Sequence, residues 1–238
     1  MDLGDKVKEQ QYFSLRKTTP DSYSTYTIPP YMTKVLPRQR SQKILDVGCG
    51  FGQTMNALRA LGYEHVRGVD ISDESIGHCN KIGLDVEKVS DIAEYMKDHR
   101  EEYDFIIMSH VLEHIEKPLI IPYVTSIRAM LKSDGQFLIM APNAQSNTDC
   151  YWAYEDFTHS TLFTAGSLYF VLMAGGFKQV EILDQYSIEG LSWPKRALKL
   201  FLLKLYTANK MFWNRITASS FHKPSLIVFS YEIKALAR

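Results

Sequence analysis

An apolar run that leads directly into closely spaced glycines, at residues 43–53, is the stretch that most constrains this chain. It reads KILDVGCGFGQ, with an acid at position 46 and glycines at positions 48, 50 and 52. Glycine adopts positive φ angles and leaves room for a ligand to lie against the main chain. Residues 54–61 then favour a helix. The stretch predicts a strand, a tight turn and a helix start that together bind a ligand.

Two ligand classes compete for such a turn. A dinucleotide fingerprint, G-x-G-x-x-G, needs its third glycine where this chain has Gln53. Residues 65–71 predict a second strand that ends in Asp70, at about the distance expected of an acid that binds a ribose diol. The glycine spacing therefore disfavours an NAD-dependent oxidoreductase, which remains an alternative.

With Asp46, the glycines and Asp70 in register, the sequence resembles the class I S-adenosylmethionine-dependent methyltransferases. Their first motif has the form hh-D-h-G-x-G-x-G, and their second strand ends in a ribose-binding acid. The resemblance implies S-adenosylmethionine as cofactor and S-adenosylhomocysteine as product. It also implies a set of cofactor-binding residues: Asp46, Gly48, Cys49, Gly50, Gly52, Asp70, Ile71, Asp91, Ile92, Ser109 and His110. Asp91 has a second expected role as a helix N-cap.

After these two strands, strand and helix patterns alternate, which is typical of a parallel sheet covered on both faces. The predicted fold is an α/β Rossmann-like seven-stranded sheet, and the resemblance implies that its last strand is antiparallel. The later strands are predicted at 86–89, 103–109, 136–140, 177–186 and 225–235. We expect a methyltransferase domain over 42–238, an N-terminal lid or cover over 1–41 and a basic helical insertion at 187–224.

The composition limits which binding partners and which cellular compartment are expected. The 238 residues include 27 basic and 27 acidic ones, so overall charge gives no case for nucleic-acid binding. The three cysteines are scattered and lack C-x-x-C spacing, which favours a reducing compartment without disulfides. The N-terminus is charged, and no apolar run approaches the roughly 20 residues of a spanning helix. We expect a cytoplasmic protein.

The N-terminal segment is rich in proline and tyrosine. Its tyrosines can stack on a ligand as a lid or simply pack the segment onto the domain, and both interpretations stay open: Tyr12, Tyr23, Tyr26 and Tyr31. The stretch Ile-Pro-Pro-Tyr at 28–31 lacks the first residue of the (Asn/Asp)-Pro-Pro-Tyr motif of amino-group methyltransferases. It is interpreted as a turn.

The candidate catalytic side chains are His159, His110, Glu113 and His114. A hydroxyl nucleophile must lose a proton, and histidine titrates near neutral pH. We expect His159 to be the general base, ahead of His110, although either can instead be a structural histidine. The stretch H-x-x-E-H resembles an inverted zinc motif, but it follows a strand and has no separate ligand set, so no metal is expected.

The insertion has an unusual charge pattern. Residues 190–231 contain no acid but carry seven bases: Lys195, Arg196, Lys199, Lys204, Lys210, Arg215 and Lys223. Together with interspersed apolar residues they predict a basic amphipathic helix, which suits an anionic membrane surface at 195–223 or a phosphorylated substrate. A helical cover or a homodimer contact is the other interpretation.

The acceptor is the least constrained part of the function. The His-Val-Leu-Glu-His and His-Ser-Thr-Leu-Phe-Thr segments resemble bacterial methyltransferases that act on sugars, nucleotide-linked sugars or other surface-polysaccharide precursors. The expectation is O-methylation of such a small polar acceptor. The alternatives are N-methylation of a small metabolite and a noncatalytic subunit that binds S-adenosylmethionine.

Overall fold

A computed structural model describes residues 12–238, so the first eleven residues of the expected cover segment lie outside the described chain. The fold is built on one seven-stranded sheet in the order β3-β2-β1-β4-β5-β7-β6. Its strands are β1 Lys43–Val47, β2 His65–Asp70, β3 Asp85–Lys88, β4 Tyr103–Ser109, β5 Leu131–Pro142, β6 Val180–Leu183 and β7 Glu232–Ala237. All neighbours are parallel except β7, which is antiparallel to both β5 and β6. The α/β sheet and the antiparallel last strand that were expected from the sequence are confirmed.

Helices cover both faces of the sheet. They are α1 Tyr12–Leu15, α2 Pro30–Thr33, α3 Gln53–Ala60, α4 Asp73–Lys81, α5 Ile92–Asp98, α6 Ile120–Met130, α7 Tyr151–Glu155, α8 Ala165–Ala174 and α9 Trp193–Ile216. Side chains alternate across β1, where Ile44 packs in one core cluster with Leu58, and Leu45 packs in the other with Val124. Because both faces are buried, the middle of the central strand β4 is apolar, from Phe105 to Met108.

The last two strands differ from the predicted bounds. The sequence predicted strands at 177–186 and 225–235, whereas β6 is shorter and β7 begins only at Glu232. The side-chain amide of Asn143 donates to the carbonyl oxygens of Val228 (2.7 Å) and Ser230 (2.8 Å). Those carbonyls are therefore used by a side chain instead of a strand partner, and the chain before Glu232 is irregular.

Local differences also occur at two predicted turns. Residues 28–31 were interpreted as a turn, but Pro29 is an extended N-cap and Pro30 opens α2, a position that suits proline. The strand predicted at 136–140 leaves residues 132–135 as a turn before it, whereas β5 begins at Leu131, immediately after α6. Both corrections leave the order of the main elements unchanged.

Candidate active site

A cavity of about 1110 Å³ opens at the carboxyl edge of the parallel strands. One half of its wall follows β1, β2 and β3 and includes Gly48, Asp70 and Ser90. The other half includes His110, which follows β4, and Glu232, which begins β7. The carboxyl edge is where open α/β sheets bind their ligands, so this cavity is the candidate site.

The glycine turn has the conformation that the sequence predicted. Gly48, Gly50 and Gly52 have φ angles of 71°, 55° and 76°, which side-chain-bearing residues rarely adopt. A Cβ at Gly48 would lie 2.2 Å from Cγ2 of Val111, and one at Gly52 would lie 2.3 Å from Cδ1 of Leu84. Gly48 and Gly50 line the cavity, whereas Gly52 packs against the domain.

Asp70 holds this turn at the cavity wall. Its Oδ2 accepts a hydrogen bond from the Gly50 N–H (2.8 Å), and its Oδ1 accepts one from the Ser72 N–H (2.8 Å). Burial raises the pKa of Asp70, and the two backbone donors oppose that rise. Asp46 lies behind the wall, where burial and the nearby Asp70 charge raise its pKa to about 7.

The expected cofactor residues thus divide into two groups. Those that line the cavity are Gly48, Gly50, Asp70, Ile71, Ile92, Ser109 and His110, whereas Asp46, Cys49, Gly52 and Asp91 do not. Asp91 instead caps α5, because its Oδ1 accepts hydrogen bonds from the Ala93 N–H (2.8 Å) and the Glu94 N–H (3.3 Å). Its neighbour Ser90, which sequence reasoning missed, lines the cavity.

His110 lies between two carboxylates. Its Nδ1 is 3.3 Å from Oε1 of Glu113, and its Nε2 is 3.2 Å from Oε2 of Glu232. The side chain is 40% exposed at the cavity wall, and although its partial desolvation disfavours the charged ring, the two carboxylates raise the pKa of His110 to about 10. His110 also has a φ angle of 56°, a strained backbone conformation of the kind that clusters at functional sites. At neutral pH this side chain is therefore a cation.

His159 presents a proton acceptor. Its Nδ1 is 2.6 Å from the carbonyl oxygen of Trp152, and because a carbonyl only accepts, Nδ1 carries the hydrogen. Nε2 of the neutral ring therefore has the lone pair, 4.0 Å from Oε1 of Glu113 and 3.6 Å from Oδ2 of Asp156. The ring is buried, with 6% of its side chain exposed.

The remaining two candidates lie against His159. Glu113 is fully buried, and neither carboxylate oxygen has a hydrogen-bond partner within residues 12–238. The His114 ring contacts the His159 ring with centroids 4.7 Å apart, and His114 Nδ1 lies 2.8 Å from Oγ1 of Thr158. One ligand atom from each of Glu113, His114 and His159 lies within 4.8 Å of the others. All four expected catalytic side chains therefore meet in one wall of the cavity.

The N-terminal segment closes part of the same cavity. All four of its tyrosines line the wall: Tyr12, Tyr23, Tyr26 and Tyr31. The Tyr12 hydroxyl donates to Oδ2 of Asp156 (2.8 Å), and Arg16 forms a 2.7 Å ion pair with the same oxygen. Asp156 was not identified from the sequence, because only the fold places residues 12–16 beside it.

A profile of the methyltransferase domain family matches residues 22–182, more than half of the 238 residues. The chain belongs to the class I S-adenosylmethionine-dependent methyltransferases. The resemblance found in the glycine turn is therefore confirmed, and with it the expected cofactor.

Relatives and solved structures agree with this assignment. The ubiquinone biosynthesis O-methyltransferase of Ruegeria sp. is 33% identical over 97 residues, 39% of this chain and 38% of that protein. The protein of the same name from Actinobacillus pleuropneumoniae is 33% identical over 103 residues, 40% of this chain and 43% of that protein. The alignments thus span less than half of these relatives. A methyltransferase from Archaeoglobus fulgidus superposes with a TM-score of 0.65 at 21% identity, over 95% of this chain and 97% of that one, and shows the shared fold.

The wall fits the cofactor of the methyltransferase family. Gly50 lines the cavity, and a Cβ there would make only ordinary van der Waals contacts, with Cζ of Phe13 at 3.5 Å and Oε1 of Gln53 at 3.8 Å. At the start of α3, Gln53 lines the cavity with a buried Oε1 that has no hydrogen-bond partner among the described residues. Both features leave room and hydrogen-bonding capacity for a polar ligand beside Asp70.

Proposed function

We propose that this methyltransferase transfers a methyl group from S-adenosylmethionine to a hydroxyl oxygen of a small polar acceptor. One observation carries the proposal: His159, whose Nδ1 is held by a carbonyl oxygen so that Nε2 is the proton acceptor, lines the same cavity as the Asp70–Gly50 turn. The proposal thus places donor and acceptor chemistry in one continuous space.

The donor half is assigned to the ends of β1, β2 and β3. In this proposal Gly50 leaves space for the cofactor along the main chain, Gly48 lines the same wall while packing on Val111, and Asp70 binds the ribose. The cofactor supplies a methyl group that is already activated on a sulfonium. The protein therefore mainly has to align the acceptor oxygen, an effect that lowers the barrier by several kcal/mol.

The acceptor half is assigned to the cluster around His159. Nε2 of His159 accepts the proton of the acceptor hydroxyl, and the buried carboxylate of Glu113 stabilises the resulting imidazolium. Trp152 lines this part of the cavity, and its buried Nε1–H has no hydrogen-bond partner among residues 12–238, so the hydrogen-bonding capacity of this group is unused. The positive charge of His110 at neutral pH offsets the negative charge of the Glu113 carboxylate.

Charge in the wall restricts the acceptor. Among the described residues the wall contains seven acids, Asp70, Glu113, Glu116, Asp156, Asp184, Glu189 and Glu232, but only Arg16 and Lys234 as strong bases. Lys234 is already paired, 3.5 Å from Glu232 and 3.8 Å from Asp184. The seven bases of the insertion lie outside the wall. This balance favours a neutral hydroxyl acceptor over a phosphorylated one.

The acceptor class proposed from the sequence is a sugar or another surface-polysaccharide precursor. The names of the two relatives, ubiquinone biosynthesis O-methyltransferases, support oxygen as the methylated atom and add hydroxyl-bearing ring compounds related to ubiquinone to the compounds worth testing. The aromatic wall, with Trp152 and four tyrosines, suits either the apolar C–H face of a sugar ring or a planar ring.

The test is a methyl-transfer assay with sugars, nucleotide-linked sugars, phenols and small amines, read by mass spectrometry. With an active acceptor, His159→Gln should lower kcat by about 10²- to 10⁴-fold while S-adenosylhomocysteine binding is unchanged. His65→Gln, at an exposed position of β2, is the matched control. Unchanged turnover in both His159→Gln and His110→Asn would refute the assigned base. Methylation of amines alone would refute the O-acceptor, and cofactor binding without turnover of any acceptor would indicate a binding subunit.

A further inference from the structure

Helix α9 is the feature that methyl transfer does not explain. It is 24 residues long, and none of its residues is buried. Its large apolar side chains are exposed, among them Leu198 (59%), Phe201 (58%) and Phe212 (56%). Exposed apolar surface of this extent marks an interaction site.

The helix rests on the domain by one side only. The Tyr206 hydroxyl donates to Oδ1 of Asn147 (2.7 Å), and Lys199 Nζ donates to the carbonyl oxygen of Ser187 (2.7 Å). Lys210 lies on the same side, with its Nζ 5.5 Å from the ring centroid of Phe229. Residues 199, 206 and 210 fall on one face of a helix. This face fixes how α9 is oriented on the domain.

The apolar residues form a stripe on another side. At about 100° per residue, six of them share one face, whose centre lies roughly 110° around the axis from the side on the domain. This apolar stripe consists of Leu198, Phe201, Leu202, Leu205, Phe212 and Ile216. The domain-facing contacts lie elsewhere, and every side chain of the apolar stripe is more than half exposed, so the stripe faces solvent.

Basic residues flank the apolar stripe on both sides. Lys195 and Lys199 lie toward one edge, whereas Lys204 and Arg215 lie toward the other. No Asp or Glu occurs between residues 190 and 231. An apolar stripe with basic flanks is the pattern by which a helix lies in the headgroup region of an anionic bilayer, since long basic side chains reach the phosphates while the stripe enters the acyl boundary.

We propose that α9 docks this protein onto an anionic membrane surface, parallel to the bilayer plane. A second copy of the chain is disfavoured as the occupant, because two such faces carry like charge without any acid to pair with. Within residues 12–238 no helix is long and apolar enough to cross a bilayer, so docking is peripheral.

The placement of α9 connects docking to the cavity. The chain that enters the helix contains Asp184 and Glu189, both in the cavity wall. Gly190 lies against Pro30 of the wall, since a Cβ there would be 2.8 Å from Cγ of Pro30. A docked α9 therefore holds the acceptor half of the cavity close to the bilayer. The position of the acceptor half near the bilayer rests on the proposed function, whereas the docking of α9 does not.

Co-sedimentation of the full chain with vesicles tests docking. We expect binding to phosphatidylcholine vesicles that contain 30% phosphatidylglycerol, loss of binding in 0.5 M salt and no binding to phosphatidylcholine alone. The double variant Phe201→Gln/Phe212→Gln should weaken partitioning at least tenfold, and Lys204→Glu/Arg215→Glu should do the same. Phe170→Gln, an equally exposed aromatic on α8 (64%), is the matched control.

Two further measurements make the outcome decisive. S-adenosylhomocysteine binding of every variant verifies folding, and light scattering gives the oligomeric state. Absence of sedimentation with anionic vesicles at low salt would overturn the proposal. So would a dimer that the Phe201→Gln/Phe212→Gln variant dissociates, because the apolar stripe would then be the contact between two copies.

Discussion

Nε2 of His110 lies 3.2 Å from Oε2 of Glu232, a contact that joins the end of β4 to the first residue of β7 across 122 positions of sequence. On its other side, His110 Nδ1 lies 3.3 Å from Glu113. The antiparallel course of β7 makes this possible, because it brings the beginning of β7 to the edge where the parallel strands end. The contact fixes a positive charge between two carboxylates in the cavity wall.

This arrangement predicts how stability depends on pH. The pKa of His110 is raised from an ordinary value of about 6.5 to about 10 in the fold. Its contribution to the free energy of unfolding is therefore complete below pH 6.5 and is lost as the pH rises toward 10. Thermal unfolding between pH 6 and 10.5 should show a smaller loss of stability in His110→Asn and Glu232→Gln than in the wild type. If stability fell by the same amount over this pH range in all three proteins, the raised pKa of His110 would be contradicted.

Alanine should have different effects at the first two glycines of the turn, Gly48 and Gly50. Alanine at position 48 meets Cγ2 of Val111 at 2.2 Å, whereas alanine at position 50 has no neighbour within 3.4 Å. Both substitutions carry the backbone strain of positive φ, but Gly48→Ala should cost about 1–3 kcal/mol more by overpacking. Gly50→Ala should instead mainly weaken S-adenosylhomocysteine binding. Denaturant unfolding measures the loss of stability, and calorimetry measures S-adenosylhomocysteine binding. Equal destabilisation by the two substitutions would show that the Val111 side chain moves away from the added methyl group.

Asp91 and its neighbour Ser90 should have different roles, the first as a helix cap and the second as a contact to the cofactor. Because Asp91 caps α5 and lies off the cavity wall, Asp91→Ala should lower the free energy of unfolding by about 1 kcal/mol and leave cofactor affinity unchanged. Ser90→Ala should change the affinity instead. A tenfold loss of cofactor affinity in Asp91→Ala would instead support the cofactor-binding role that the resemblance implies.

Removal of metal tests the sequence-based expectation of a metal-free site. Glu113, His114 and His159 are close enough together to bind an ion, but the His110 cation already balances Glu113. Dialysis against EDTA should therefore leave turnover unchanged. Stoichiometric metal in the purified protein, together with activity that EDTA abolishes and Mg²⁺, Mn²⁺ or Zn²⁺ restores, would contradict this expectation.

The parts of the site that sequence could predict are local ones. The turn at 48–52 and Asp70 follow from glycine conformations and from strands that end at a shared edge, and the structure brings them to 2.8 Å. Glu232 could not be predicted in the site, because the sequence pattern placed it inside a strand that begins at residue 225. Its role depends on where β7 starts, which Asn143 determines from 89 positions away through its hydrogen bonds to the preceding carbonyls.

The position of Asp156 illustrates the same limit. Its partners Tyr12 and Arg16 are about 140 positions away, in a segment with no strong periodicity. The helical character of 193–216 could be predicted from its amphipathic pattern, whereas the side on which it rests depends on Asn147 and Phe229. Long-range packing of this kind leaves no trace in local composition.

Calorimetric titration with S-adenosylhomocysteine and NAD tests the central claim most directly, with Asp70→Ala beside the wild type and Asp85→Ala as the control. Asp85 is an exposed acid that pairs with Arg67 on the surface. We expect wild type and Asp85→Ala to bind S-adenosylhomocysteine and not NAD. Loss of the Asp70 carboxylate should weaken binding by about 10- to 150-fold, the effect of one charged hydrogen bond. Binding of NAD alone, or unchanged affinity in Asp70→Ala, would contradict the assignment of this cavity to the methyl donor.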